Sequence, residues 1–258
     1  MGSNDTEFDI IRYPLVDSTN RIALEIGSQN TTHPTAIQAD EQSAGQGRDK
    51  RSFFSPRGGL YMSAVLRPRL SIKDFPLVTL AAGVAAAETV ELITGVSVQL
   101  KWPNDLYHGD KKIGGILTEA APYSPLSADV PFVVVGIGLN VNTPSEFFPD
   151  PLRDRATSLY SITGQEFDID IMARSLMSAL LSEITLLQDC RAEVLEHWRQ
   201  RDLLFGRIIC WLDPAGRSIQ GSGRGLLEDG RYRLTSTEGE EYYVVAGDIV
   251  ITDMSGQK

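Results

Sequence analysis

The chain has 258 residues, 42% of them hydrophobic and 22% charged, with a formal net charge of −10 at pH 7. That length suits one large domain or a large and a small one, and the acidic balance excludes a general nucleic-acid surface, which needs clustered Lys and Arg against phosphate. No apolar run reaches the roughly 18 residues of a membrane span, and no basic-then-apolar leader opens the chain, so a cytoplasmic protein with no membrane attachment and no DNA partner is expected.

In chain order, "FDIIRYPLVDSTN" begins with a short strand, and Asp17, Ser18 and Thr19 are N-cap candidates for a helix through about Ile26 that Gly27 closes. "TAIQAD" reads as a second strand. The next twenty residues, Glu41 to Leu60, are polar and Gly-rich, a length that in a compact domain marks a functional or a disordered loop. "LYMSAVLRP" is a strand, and "SIKDFPLVTLAAGVAAAETVELITG" carries apolar residues at helical spacing with Gly95 as the stop. "VSVQLKW", "KIGGILTEA" and the β-branched "FVVVGIGLNVN" are further strands, so the class is α/β or α+β with a mixed sheet. Two helices follow between Asp168 and Leu204. Beyond Phe205, "RIICWL", "IQGSGRGLLE", "RYRLTS" and "EYYVVAGDIVI" alternate between turns and read as a small β-barrel-like domain of about fifty residues.

Cys190 and Cys210, with three histidines in the chain, form no metal-ligand spacing and no disulfide framework, and are expected to be buried thiols. The opening "MGSNDT" fits the loose myristoylation pattern but reads as chance or a cloning remnant, and the triplets at Asn4 and Asn30 carry no meaning without secretion.

Three stretches carry chemistry. In "GQGRDKR", Gly45 and Gly47 free backbone amides to turn toward a ligand, and Arg48, Lys50 and Arg51 supply three cations within four residues. The stretch lacks the lysine and hydroxyl of a Walker A motif, and a solvated basic loop remains the alternative. In "LKWPNDLYHGDKKIGGIL" a turn precedes two lysines entering a strand. Lys111 and Lys112 must face opposite sides, so one of them can reach into a cleft and stabilise charge on a carbonyl or phosphoryl oxygen. A charged surface hairpin is the competing reading. "DSTN" is by itself more often a helix cap than a ligand site, and Gly136 and Gly138 in "GIGLN" are either bulge residues or room for an adenine.

Taken together and in order, "VDSTN", "ADEQSAGQGRDKRSFFSPRGGLYMS", "KWPNDLY", "KKIGGILTEA" and "VVVGIGLNVN" resemble the biotin protein ligase family from about Phe8 to the C-terminus. The resemblance implies a catalytic domain of the class II aminoacyl-tRNA synthetase and biotin synthetase type over residues 1–204, and an SH3-like β-barrel over 205–258. It implies ATP-dependent ligation of biotin, through biotinoyl-5'-AMP, to a lysine of the biotin carboxyl carrier domain of a biotin-dependent carboxylase. Too few residues precede Phe8 for a DNA-reading domain, so the monofunctional type without repressor function is expected. A homodimer is a further possibility that the family raises.

The same resemblance assigns residues. Ser18, Thr19, Asn20, Gln42, Gln46, Gly47, Arg48, Lys112, Gly114 and Gly115 would meet biotin. Gly45, Arg48, Arg51, Lys101, Trp102, Asn104 and Asn140 would meet ATP, and Asp105 is the candidate Mg2+ ligand. Lys112, directly before Ile-Gly-Gly, and Arg48 would be catalytic. The chain departs from the family's usual Gly-Arg-Gly-Arg-x-Gly-Arg loop, with Gln46 for the first arginine and Lys50 for a glycine, and Phe53 stands where Trp is frequent. A lipoate ligase or octanoyl transferase shares the sheet and a lysine, and a non-enzymatic vitamin- or nucleotide-binding module is the remaining alternative.

Overall fold

The computed structural model describes residues 8–29, 33–121, 132–213 and 215–252. The myristoylation-like opening and both glycosylation triplets lie outside them. The first half of the chain forms β1 (Asp9–Tyr13), α1 (Thr19–Ser28), β2 (Thr35–Ala39), β3 (Leu60–Leu66), α2 (Phe75–Thr94), β4 (Gln99–Lys101), β5 (Asp105–His108), β6 (Lys111–Ala120) and β7 (Val133–Leu139). These strands make one seven-stranded mixed sheet in the order β1-β2-β3-β7-β6-β5-β4. β1 and β2 are parallel, with α1 as the crossover that parallel pairing requires, and the remaining neighbours are antiparallel.

Alternation along the strands gives the sheet two unlike faces. Leu60, Met62, Ala64 and Leu66 of β3 and Val133, Val135, Ile137 and Leu139 of β7 join the main core under the helices. The intervening positions of the same strands, among them Tyr61, Ser63, Gly136 and Gly138, point to the opposite face. There α1 covers one end over a smaller core of Ala23, Ile37, Val65, Phe132 and Val134, and the other end stays open.

The helical layer is α2 with α5 (Ile169–Asp189) and α6 (Arg191–Arg199), preceded by the short α3 (Asp150–Arg153) and α4 (Leu159–Thr163). α2 starts with Pro76 in its first turn, where the missing N–H costs nothing, and ends on Gly95 in a left-handed conformation whose N–H donates to Glu91 O. By length and composition α2 is apolar enough to cross a membrane, which corrects the expectation that no segment is. It is the central core helix, with 67% of its most apolar window buried. Each fully buried Leu or Val on it contributes about 1.5–3 kcal/mol.

The C-terminal strands β8 (Ile208–Leu212), β9 (Ser218–Leu226), β10 (Tyr232–Ser236), β11 (Glu241–Val244) and β12 (Asp248–Ile251) form an antiparallel sheet in the order β11-β10-β9-β8-β12. Leu226, Tyr232, Leu234, Val244 and Ile249 belong to the same apolar cluster as α2 and α6.

Several expectations are corrected. α1 continues through Gly27 to Ser28, because Gly27 is a packing glycine: a Cβ there would stand 2.3 Å from the Phe132 ring. Neither thiol is buried, since Cys190 is exposed and Cys210 half-buried. "EYYVVAGDIVI" is two strands, split at Gly247 with φ 108°, where a Cβ would meet Leu212 O at 2.3 Å. "DLYH", which the sequence reading places in no strand, is β5, so "KWPND" is the tip of the β4–β5 hairpin.

Candidate active site

The open end of the small-residue face is a cleft of about 700 Å³, within the range of small-molecule sites. Its floor is built by what the strands lack. A Cβ on Gly136 would stand 2.0 Å from Asn20 Oδ1, one on Gly138 2.6 Å from the Phe53 ring, and one on Gly115 3.2 Å from Lys112 Nζ. None of these three glycines has a positive φ. They are neither bulges nor bare space, and each leaves room for a specific polar or aromatic side chain.

One end of the cleft is a neutral hydrogen-bonding cluster at the start of α1. Ser18 is the N-cap residue, yet its own side chain makes no capping bond. Gln42 from the long loop does that work instead, its Oε1 accepting from Thr19 N at 2.8 Å and from Thr19 Oγ1 at 3.1 Å. Ser63 Oγ lies 2.7 Å from Thr19 Oγ1 and donates to Asn20 Oδ1 at 2.6 Å, while Asn20 Nδ2 donates to Glu119 Oε2 at 2.7 Å. Thr19, Asn20 and Ser63 are all buried, so these donors and acceptors are held in fixed orientation.

The other end is cationic. Lys112 is half-buried on β6, and its Nζ donates to Asp105 Oδ1 of β5 at 2.5 Å. Its backbone is clamped on the outer side, where Lys112 N donates to Arg155 O and Thr157 N donates to Lys112 O. Lys111 is exposed, as alternation requires. Arg48 Nη1 reaches from the loop to Asn104 Oδ1 at 3.3 Å, and Asn104 is itself fixed to β6 through Ile116 O. Lys101 Nζ lies 5.7 Å from the centre of the Tyr107 ring. Burial lowers the Lys101 pKa, with Asp105 opposing, and burial raises the Tyr107 phenol to about 12.

The loop is folded onto this end by a 3-10 turn at Arg48–Lys50. Arg51 forms an ion pair with Asp248 of β12, which raises the arginine's pKa and lowers that of the carboxyl. Asp49 and Lys50 both have positive φ, 56° and 59°, a conformation that costs a non-glycine residue about 1–2 kcal/mol. Lys50 occupies the position where the resembled loop carries glycine, so the departure seen in the sequence meets a backbone that favours glycine.

Ser18, Thr19, Asn20, Gln42, Gln46, Gly47, Arg48, Arg51, Lys101, Trp102, Asn104, Asp105, Lys112 and Gly115 all line the one cleft. Three expected residues do not. Gly114 faces the helical side, where a Cβ would meet Gly138 O at 2.6 Å. Gly45 packs under the loop against Ser55 and Phe53, and buried Asn140 spends its amide on Thr157 O at 3.0 Å. Trp102 reaches the cleft, but its indole N–H donates to Gly230 O, tying the hairpin to the C-terminal sheet. Sequence reasoning missed Tyr107, Arg155 and Asp248 to Ile251 as cleft residues. Strand alternation after "KWPND", with apolar Leu106 in the core, was a signal for Tyr107; Arg155 and Asp248 had none, since only tertiary folding brings them near.

The sequence-family profile described as the biotin/lipoate A/B protein ligase family matches residues 13–140. The biotin–[acetyl-CoA-carboxylase] ligase of Mycobacterium tuberculosis is 32% identical over 222 residues, covering 82% of this chain and 77% of the relative. The chain belongs to the biotin protein ligase family. The bifunctional ligase/repressor BirA of Bacillus subtilis is 39% identical over 160 residues, and there the match spans 62% of this chain and about half, 48%, of the relative's length. Among solved structures, the Aquifex aeolicus biotin protein ligase in complex with biotin and ATP superposes with a TM-score of 0.80 at 29% identity, covering 95% of this chain and 98% of that one. Of the family's expected features, the mixed sheet with its helical layer and the antiparallel C-terminal sheet are present.

Proposed function

We propose that the protein ligates biotin, through biotinoyl-5'-AMP, to a lysine of the carrier domain of a biotin-dependent carboxylase, using ATP. The observation that carries this reading is the polarity of the cleft: a neutral hydrogen-bonding cluster at one end and, at the other, five cations, Arg48, Arg51, Lys101, Lys112 and Arg155, interleaved with carboxylates such as Asp105 and Asp248. The M. tuberculosis relative named for this reaction and the Aquifex ligase with biotin and ATP support it. Residues 1–204 are assigned as the catalytic domain and 205–258 as an SH3-like domain, whose Asp248 edge borders the cleft.

The neutral end suits a ureido ring, which presents both N–H donors and a carbonyl acceptor. The cationic end suits a carboxylate and a triphosphate, two anions that repel one another in solution. In the first step a biotin carboxylate oxygen attacks the α-phosphorus, the bond to the β-phosphate oxygen breaks and pyrophosphate leaves. Catalysis there is positioning and charge stabilisation. Arg48 and Lys112 hold the reacting oxygens between them. Mg2+ fits Asp105, whose carboxylate has a second oxygen beyond the one that Lys112 engages, because that ion binds through one or two carboxylates and substrate phosphates. Bound there, it would neutralise phosphate charge.

In the second step the carrier's lysine amine attacks the acyl carbon of the mixed anhydride, the acyl–phosphate C–O bond breaks and AMP leaves. Lys112 supplies positive charge beside the developing oxyanion. The folded loop, held by Arg48 to Asn104 and Arg51 to Asp248, excludes water from an intermediate that hydrolysis would waste.

The test is intact-mass spectrometry of an acceptor carrier domain incubated with the protein, MgATP and biotin. One biotinyl adduct on the carrier is expected, and none with lipoate in place of biotin. An unmodified carrier would overturn the activity, and lipoyl transfer would overturn the substrate.

A further inference from the structure

On the far side of the sheet from the cleft, three helices bring together side chains that the ligase reaction does not use. Glu88 of α2, Glu183 of α5 and His197 of α6 present donor atoms that all lie within 4.8 Å of one another. They are far apart in sequence, so no spacing motif announces them.

Glu183 is 6% exposed. Its Oε2 and the Nδ1 of His197 are buried without a hydrogen-bond partner, as is Arg201 Nε. His197 Nδ1 is 3.7 Å from Glu183 Oε1, too long for a hydrogen bond. Bonds of about 2.0–2.2 Å from imidazole nitrogen and carboxylate oxygen to one tetrahedral ion set donor atoms some ~3.3–3.6 Å apart. At 3.7 Å the pair is close to that spacing and too long for a shared proton.

The charges agree with that reading. Arg201 Nη2 pairs closely with Glu91 Oε2 at 2.9 Å and only distantly with Glu88 Oε1 at 3.8 Å. Glu88 and Glu183 thus bring two carboxyl groups to one imidazole. One imidazole nitrogen with two carboxylates selects a zinc-class ion over Mg2+ or Ca2+, which take oxygen donors.

We propose that Glu88, Glu183 and His197 form a structural site for a zinc-class divalent cation that clamps α2, α5 and α6 together. Glu88, whose side chain is 40% exposed, is the donor that closes in, and it leaves the fourth position open to water. The clamp bears on the reaction site at one remove. Arg201 O, four residues beyond His197, accepts from Leu100 N at 2.7 Å, and Leu203 N donates to Leu100 O, so the C-terminal end of the α6 segment holds the strand that carries Lys101 and Trp102.

The experiment titrates the full chain, stripped with a chelator, with ZnCl2 and with CoCl2. One equivalent should bind, Co2+ should give the visible absorption of a four-coordinate site, and Zn2+ should raise Tm. His197→Asn and Glu183→Gln should each weaken Co2+ binding at least tenfold and abolish the Tm shift, whereas Asp105→Asn should leave both intact. Undiminished binding in the His197→Asn or Glu183→Gln protein, or no Zn2+ binding by the unaltered chain, overturns the site. If both variants fail to fold, diethylpyrocarbonate labelling of the unaltered chain decides: Zn2+ should protect His197 and not the half-buried His33 or His108, and equal labelling of His197 with and without Zn2+ overturns the proposal.

Discussion

Lys112 Nζ donates to Asp105 Oδ1 at 2.5 Å across the β5–β6 hairpin, with Gly115 beneath them leaving the space both side chains need. The pair sets the cationic end of the cleft: the carboxylate holds the ammonium in place before any substrate arrives, so little reorganisation is needed when charge develops. Lys112→Ala should lower adenylate formation by about 10²–10³-fold, the usual cost of losing one such donor. Because the lysine is about a third exposed, the fold should lose less than about 1 kcal/mol. Biotin-dependent pyrophosphate release measures the first and urea unfolding the second; unchanged release would remove Lys112 from the mechanism.

The Arg51–Asp248 pair joins the loop to the C-terminal sheet. Both side chains are well exposed, so Asp248→Asn should change global stability by under about 1 kcal/mol. Its effect should appear in retention. Without acceptor, the variant should lose biotinoyl-AMP to hydrolysis several-fold faster than the unaltered chain, seen as excess AMP over time, and high salt should bring the two rates together.

Lys50 occupies a left-handed backbone conformation that glycine adopts without penalty. Lys50→Gly should stabilise the folded loop by up to about 1 kcal/mol, slowing adenylate release several-fold in stopped-flow measurements while leaving the urea midpoint nearly unchanged. Faster release would mean that the lysine's charge outweighs its backbone strain.

Burial raises the Asp202 carboxyl to about 6, against hydrogen bonds from Leu204 N and the Tyr232 hydroxyl that favour the anion. The sign follows from linkage: between about pH 4 and 6 the folded chain binds more protons here than the unfolded one, so this group's contribution falls as pH rises through that window. Asp202→Asn should remove that fall, making the variant relatively more stable above pH 6 by on the order of 2 kcal/mol. Urea unfolding of both proteins from pH 4 to 7 checks it; parallel curves would refute the shift.

The reaction-bearing stretches were legible because each is local. A Gly-rich loop with three cations, a turn before two lysines and a polar helix start are written in consecutive residues; strand alternation allowed only one of Lys111 and Lys112 to face a cleft, and the family resemblance selected Lys112. Helix α2 was legible for the same reason, its period and its Gly95 stop lying in one segment. Local reading failed where a residue's role depends on what lies across from it. Asn140 and Gly114 sit within motif stretches yet face the protein interior, and Trp102 turns its N–H to the C-terminal sheet.

What the sequence by itself determined is therefore the principal strands and helices, the loop chemistry and the family. Tertiary structure alone decided that Gly136, Gly138 and Gly115 clear a floor for Asn20, Phe53 and Lys112, that Gln42 caps a helix from 23 residues away, that Asp248 latches the loop, and that Glu88, Glu183 and His197 meet. The physical reason is range. Backbone propensity and side-chain period act within one element, whereas contact, burial and the pairing of charges depend on distances that only the packed chain fixes.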